Sequence, residues 1–149
     1  MSASDSTDLF EPLPVFAYGT LRPEMGNERL WLGPRSRSTA AVLEGFRLYH
    51  LRYGFPAIVP GEGLVRGDLV ETEDPVALLH ALDRLEGFRP DAPRSSHYLR
   101  VRVEVALADG RRSPAWTYVY TPDRLQEAAD AQPVSGGDWR EWLLAGGGR

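Results

Sequence analysis

Tyr18-Gly19-Thr20-Leu21-Arg22 comes where an apolar run stops, and it has the make-up of a binding loop. A glycine there permits close approach to the backbone, and successive N–H groups in a turn form a nest for an anion. A carboxylate is the natural guest. A second stretch, Leu82-Asp83-Arg84-Leu85-Glu86-Gly87-Phe88, reads as a helix end. Glu86 follows Leu82 by four positions and Leu79 by seven, which puts it on the helix's apolar stripe. Apolar surroundings and the negative end of the helix dipole both disfavour its charge, so both raise its pKa. A carboxylate shifted that way suits a general base working near neutrality. Asp83 lies off the stripe and is expected to pair with arginine in water, as a structural residue.

Other chemistries lack their residues. Among 149 residues there is no cysteine and no lysine; all seventeen basic side chains are arginine. Thiolate nucleophiles, side-chain Schiff bases and a P-loop are thereby excluded. His50, His80 and His97 are scattered without ligand spacing, so a zinc site is not expected. No Gly-x-Ser-x-Gly elbow occurs. A net charge of −4 argues against a nucleic-acid binder. No apolar run is long enough for a membrane helix, and no basic, apolar secretory signal opens the chain. A cytoplasmic protein is expected.

The elements that must hold these residues are short. Leu13–Ala17, Thr39–Leu51 with a bulge at Gly45, Leu64–Glu71, Tyr98–Ala108 and Ser113–Tyr120 read as strands. The last two are joined by Ala108-Asp109-Gly110-Arg111, a strong hairpin signal. Thr72–Glu86 reads as the main helix, with Asp74 as N-cap, Pro75 in the first turn, a stripe of Leu78, Leu79, Leu82 and Leu85, and Gly87 as the stop. Asp138–Leu144 reads as a last short helix. Trp116, Tyr118 and Tyr120 alternate onto one sheet face, and Tyr98 is placed to meet them with its hydroxyl toward a cavity. These elements give an α+β fold: a mostly antiparallel, barrel-like sheet with one substantial helix and short peripheral helices. The expected limits are a disordered leader over 1–12, a single domain over 13–145 and a flexible tail over 146–149.

In order and spacing the chain resembles the gamma-glutamylcyclotransferase-like family, most closely its small gamma-glutamylamine cyclotransferase branch. The resemblance runs from Val15 to Trp142. It is carried by VFAYGTLR (15–22), FPAIVPG (55–61), VRGDLVE (65–71), LDRLEGF (82–88), YLRVRVEV (98–105), AWTYVY (115–120) and SGGDW (135–139). It implies an enzyme that cyclises a gamma-glutamyl group to 5-oxoproline and frees the amine, with no metal or cofactor. Tyr18, Gly19, Thr20 and Leu21 would hold the glutamyl head, Tyr98 would line the site, and Glu86 would accept the proton. The partner implied is a small gamma-glutamyl molecule, met by a monomer or weak homodimer. The alternative is a binding module of the same fold without catalysis. Glu24 stands where the family often has glycine, and the Arg89–Ser96 excursion is expected to shape the entrance.

Overall fold

The computed structural model describes residues 8–22, 25–31, 33–52, 54–128 and 130–147. Its strands are β1 (Val15–Ala17), β2 (Arg37–His50), β3 (Pro56–Glu71), β4 (Leu99–Leu107), β5 (Arg112–Val119) and the two-residue β6 (Gln132–Pro133). Neighbours run β3-β1-β5-β4-β2, and β2 pairs again with β3, so five strands close into a barrel with β6 on its flank. Every adjacent pair is antiparallel except β1 with β5, which is parallel.

β2 and β3 form the long wall. Their register shifts between Glu44 and Phe46, where Gly45 takes a φ of +86°, so the bulge falls where the sequence places it. β3 is longer than expected. It starts at Pro56 rather than Leu64 and carries Pro60, Gly61 and Gly63, which read as breakers in sequence. Pro56 opens the strand and Pro60 abuts the register shift, positions where the ladder is already interrupted.

Side chains alternate across the wall. Phe16, Leu43, Ile58, Val65, Leu69, Val105 and Ala115 fill the barrel. Val15, Ala17, Val59, Val70, Trp116 and Tyr118 form a second layer on which the main helix lies. That helix, α1 (Pro75–Glu86), is capped by Asp74, whose side chain accepts from the Ala77 N–H at 3.1 Å. It ends where Gly87 enters the left-handed region at φ +68°. Leu78, Leu79 and Leu82 are buried, whereas Leu85 is 46% exposed and leaves the expected stripe. α2 (Pro122–Glu127), which sequence reading missed, is started by the Thr121 side chain; α3 (Trp139–Leu144) is started by Asp138.

Two expectations need correction. Asp83 is not in water but buried, bound twice by Arg100 (Nε–Oδ1 2.7 Å, Nη2–Oδ2 3.0 Å), whose side chain has no exposure. Three rings, Phe10, Phe88 and Trp116, lie about this guanidinium at 4.7–5.4 Å from its centre. Residues 8–12 were expected to be disordered, yet Leu9 gives its carbonyl to Arg100, Phe10 stacks on His80 at 4.4 Å and Glu11 accepts from Trp116 Nε1. Phe10 is the reason: an aromatic anchor within a polar segment has apolar surface to bury. At the other end, the Gly146 and Gly147 N–H groups bond the carbonyls of Leu143 and Trp142. The rest of the leader (1–7), the end of the tail (148–149) and Glu24 lie outside the described residues.

Removing one partner of a buried pair strands the other charge. Asp83→Ala is therefore expected to lose about 3–5 kcal/mol in urea unfolding. Adding Arg100→Met should recover much of that loss, and losses that simply add would dissolve the pair as an energetic unit.

Candidate active site

Where β1 runs out, the loop after it, the start of β3 and the end of α1 enclose a pocket of about 190 Å3. Tyr18, Gly19, Thr20, Leu21, Glu86 and Tyr98, the residues singled out from sequence, all line it. So do Asn27, Phe55, Pro56, Leu85, His97 and Tyr118, which sequence reading did not assign to a site. Most of these stand beside an identified residue in the chain or are brought in by the barrel's closure.

Glu86 enters from the helix end and is half-buried. Burial raises its pKa to about 7. No hydrogen-bond donor among the described residues engages its carboxylate, so nothing offsets the lost hydration. Asp83, one turn earlier, is satisfied by Arg100 and by the Tyr118 hydroxyl, which donates to Oδ1 at 2.7 Å. The two carboxylates of one helix end thus have opposite surroundings.

Tyrosines build the walls, and each hydroxyl already has an acceptor. Tyr18 donates to the Tyr118 carbonyl at 2.6 Å and Tyr98 to the Pro56 carbonyl at 2.7 Å. The expectation that Tyr98 offers its hydroxyl to the cavity is therefore revised; its ring is the lining surface. Burial, with the nearby Glu86 adding to it, holds the pKa values of Tyr18, Tyr98 and Tyr118 well above the ordinary phenol value. All three stay protonated and neutral.

The loop is fastened at both ends. Arg22, itself buried, bonds Asp68 of β3 at 2.8 Å and Asp138 at the head of α3 at 3.0 Å. Asn27 holds Thr20 twice, backbone to backbone at 2.8 Å and side chain to side chain at 2.8 Å. Among the described residues, the N–H groups of Gly19, Thr20 and Leu21 donate to no carbonyl, and all three residues face the pocket. Gly19 has a second reason to be glycine. A Cβ there would stand 2.7 Å from Pro56 Cγ, so its close neighbour is the protein as well as any guest.

His50, His80 and His97 lie apart. His50 accepts from Trp139 Nε1 at 3.0 Å beneath α3, His80 stacks on Phe10, and His97 is at the pocket with Tyr120 Oη 3.2 Å from its Nε2. No helix among the described residues is long and apolar enough to cross a membrane.

Comparison with known proteins agrees with this architecture. The family described as gamma-glutamyl cyclotransferase, AIG2-like, matches residues 15–141. Among curated proteins, no sequence matches. YkqA from Bacillus subtilis is 23% identical with a TM-score of 0.64; the alignment covers 92% of this chain but only 43% of YkqA. An AIG2-like protein from Mus musculus is 26% identical with a TM-score of 0.59, over 76% of this chain and 82% of that one. Protein ytfP from Escherichia coli is 26% identical with a TM-score of 0.57, over 85% and 96%. A structure named gamma-glutamyl cyclotransferase is 19% identical with a TM-score of 0.53, over 89% and 96%. The matched segment takes in the barrel, the loop after β1 and the end of α1, and on that ground the chain belongs to the gamma-glutamyl cyclotransferase, AIG2-like family.

Proposed function

We propose that the chain is a gamma-glutamyl cyclotransferase, closing a gamma-glutamyl group into 5-oxoproline and releasing the amine. The observation that carries this reading is Glu86, a half-buried carboxylate without a donor among the described residues, raised to about 7 and facing the loop's open N–H groups across one small pocket. The substrate's α-carboxylate binds the N–H groups of Gly19, Thr20 and Leu21, which fixes the glutamyl head. Its α-ammonium lies toward Glu86 and the neutral tyrosine walls.

Glu86 takes a proton from the ammonium, and the freed amine attacks the substrate's own gamma-carbonyl carbon. A C–N bond forms, the amide C–N bond to the leaving group breaks, and Glu86 delivers its proton to the departing nitrogen. Glu86 then takes the second proton, shed by the attacking nitrogen, and passes it to the released amine. The two hydrogens lost by the ammonium are thus the two gained by an amine leaving as its ammonium form. Both reacting groups belong to one molecule, so folding it into a ring-closing conformer is the protein's main task. Such orientation is worth up to ~7–11 kcal/mol in favourable cases.

Four outcomes test this. Glu86→Gln should abolish 5-oxoproline release while substrate binding by calorimetry persists, since the amide keeps the shape but takes no proton. Activity within a few-fold of the parent removes Glu86 from the chemistry. In the parent, kcat/KM should rise with pH through about 7, as Glu86 becomes the carboxylate. A flat profile between pH 5.5 and pH 8.5, on the order of three units, would place the base elsewhere.

The same shift predicts a stability signature. The folded-state pKa lies above the 4.5 of a free glutamate side chain, so the favourable contribution belongs to the protonated form. It is complete below 4.5 and is lost as pH rises from there through about 7, above which the buried charge is a cost. Glu86→Gln should therefore melt at or above the parent temperature at neutral pH, with its advantage growing across that window. A mutant melting clearly lower at pH ~7 would mean that Glu86 has a charge partner in the fold. Finally, amidating the substrate's α-carboxylate should raise KM or stop turnover; unchanged kinetics would sink the loop assignment.

A further inference from the structure

Beside the pocket lies a second recess of about 280 Å3, and His97 lines both. Its walls come from the excursion after Glu86, the end of β5 and the start of α2. Arg94, His97 and Arg124 contribute polar side chains to it, and no carboxylate does. That is unusual in a chain whose net charge is −4.

The excursion is a tied loop. Gly87 accepts from the His97 N–H at 2.8 Å at its base, and the buried Ser96 hydroxyl accepts from the Arg89 N–H at 2.7 Å. A Cβ on Gly87 would stand 3.0 Å from His97 Cβ, so the residue after Glu86 and the residue between the two cavities are packed together. Arg124 is held to this loop, donating from Nη2 to the Ser96 carbonyl at 2.9 Å and lying 5.9 Å from the Tyr120 ring centre. Its charge is near enough to help lower the His97 pKa, after burial. Neither Arg94 nor Arg124 has an acidic partner among the described residues, although many other arginines here are paired. A fixed guanidinium with spare N–H groups matches a carboxylate in geometry and charge.

We propose that this recess seats the leaving group and that Arg124 and Arg94 bind a carboxylate carried by the departing amine. The preferred substrates are then gamma-glutamyl amino acids or peptides, not simple gamma-glutamyl amines. The inference rests on the cyclotransferase reading and adds to it the residues that choose the leaving group. Phe55 and Leu85, exposed at the pocket, offer apolar contact to either kind of amine and so do not discriminate.

The test compares gamma-glutamylalanine with gamma-glutamyl ethylamide, which differ only in alanine's carboxylate. The parent should favour the alanine compound in kcat/KM by roughly tenfold or more, the scale of a charge-assisted hydrogen bond. Arg124→Gln and Arg94→Gln should each pull that ratio toward one, and added salt should do the same to the parent. A parent ratio within about twofold, too small for such a bond, overturns the proposal. So do variants that lose both substrates equally. Arg94, exposed and without an acidic partner among the described residues, carries the test if Arg124→Gln does not fold. Should neither compound yield 5-oxoproline, the cyclotransferase reading falls. The recess is then judged by calorimetry with the same pair and variants: equal affinity in the parent overturns it, and a preference lost in Arg94→Gln supports it.

Discussion

A guanidinium with no exposure must find partners for its N–H groups, and much of this fold is arranged around that demand at Arg100. Two go to Asp83 and one to the Leu9 carbonyl, and three aromatic rings close over the rest. Arg100 stands on β4, Asp83 on α1, Tyr118 on β5 and Leu9 ahead of β1, so one buried charge ties together parts distant in sequence. The Tyr118 hydroxyl completes Asp83, and the Tyr118 carbonyl in turn receives the Tyr18 hydroxyl. The chain of bonds runs from the N-terminal segment to the pocket wall. Replacing such a pair with apolar side chains is often neutral in stability, so its stronger effect is on position. It sets how α1 lies on the barrel and hence where Glu86 emerges.

Glu86 depends on that constraint because it lacks one of its own. A carboxylate that is half-buried and without a donor tends to escape to water or take a proton. Here the escape is limited from both sides. Asp83 anchors the preceding turn, and Gly87, in the left-handed region, turns the chain toward His97 at once. The helix end is therefore rigid where the side chain is least satisfied. The loop facing it follows the same plan: Arg22 and Asn27 supply the bonds, and the N–H groups between them are left open. The unsatisfied carboxylate and the open N–H groups thus face one pocket, where a ligand would relieve both.

Local signals announced these elements unevenly. The hairpin at Asp109-Gly110, the Gly45 bulge and the Asp74-to-Gly87 limits of α1 were legible because each is a backbone requirement met by a particular residue type. Glu86 was legible because helical periodicity alone puts it on the buried side. Other features depend on contacts that no window of sequence contains. Asp83 reads as a wet residue until Arg100 is brought over it, and the leader reads as free until Phe10 finds His80. The first half of β3 reads as a broken loop because Pro56, Pro60 and two glycines outweigh its short apolar run, Ala57–Val59. Tertiary pairing with Phe46–His50 overrides that local preference. Gly19 was legible as a glycine position, but the Pro56 ring behind it was not.

The absence of lysine and cysteine narrows how this pocket can work, since neither a side-chain amine nor a thiolate can attack a bound carbonyl. A substrate that brings its own amine removes the need for either. On the proposed reading, what the protein supplies is an anion site, a proton carrier near neutrality and walls that hold the rest in a folded conformer. Tyrosine suits the walls: it is large, its hydroxyl can be tied to a fixed acceptor, and burial keeps it uncharged beside a carboxylate. Had those hydroxyls been free to turn toward Glu86, they would have donated to it and stabilised its charge, lowering the pKa that burial raises. Spending them on the carbonyls of Tyr118 and Pro56 and on Asp83 keeps Glu86 basic. The barrel's hydrogen bonding thus bears on the proton chemistry by what it withholds from one carboxylate.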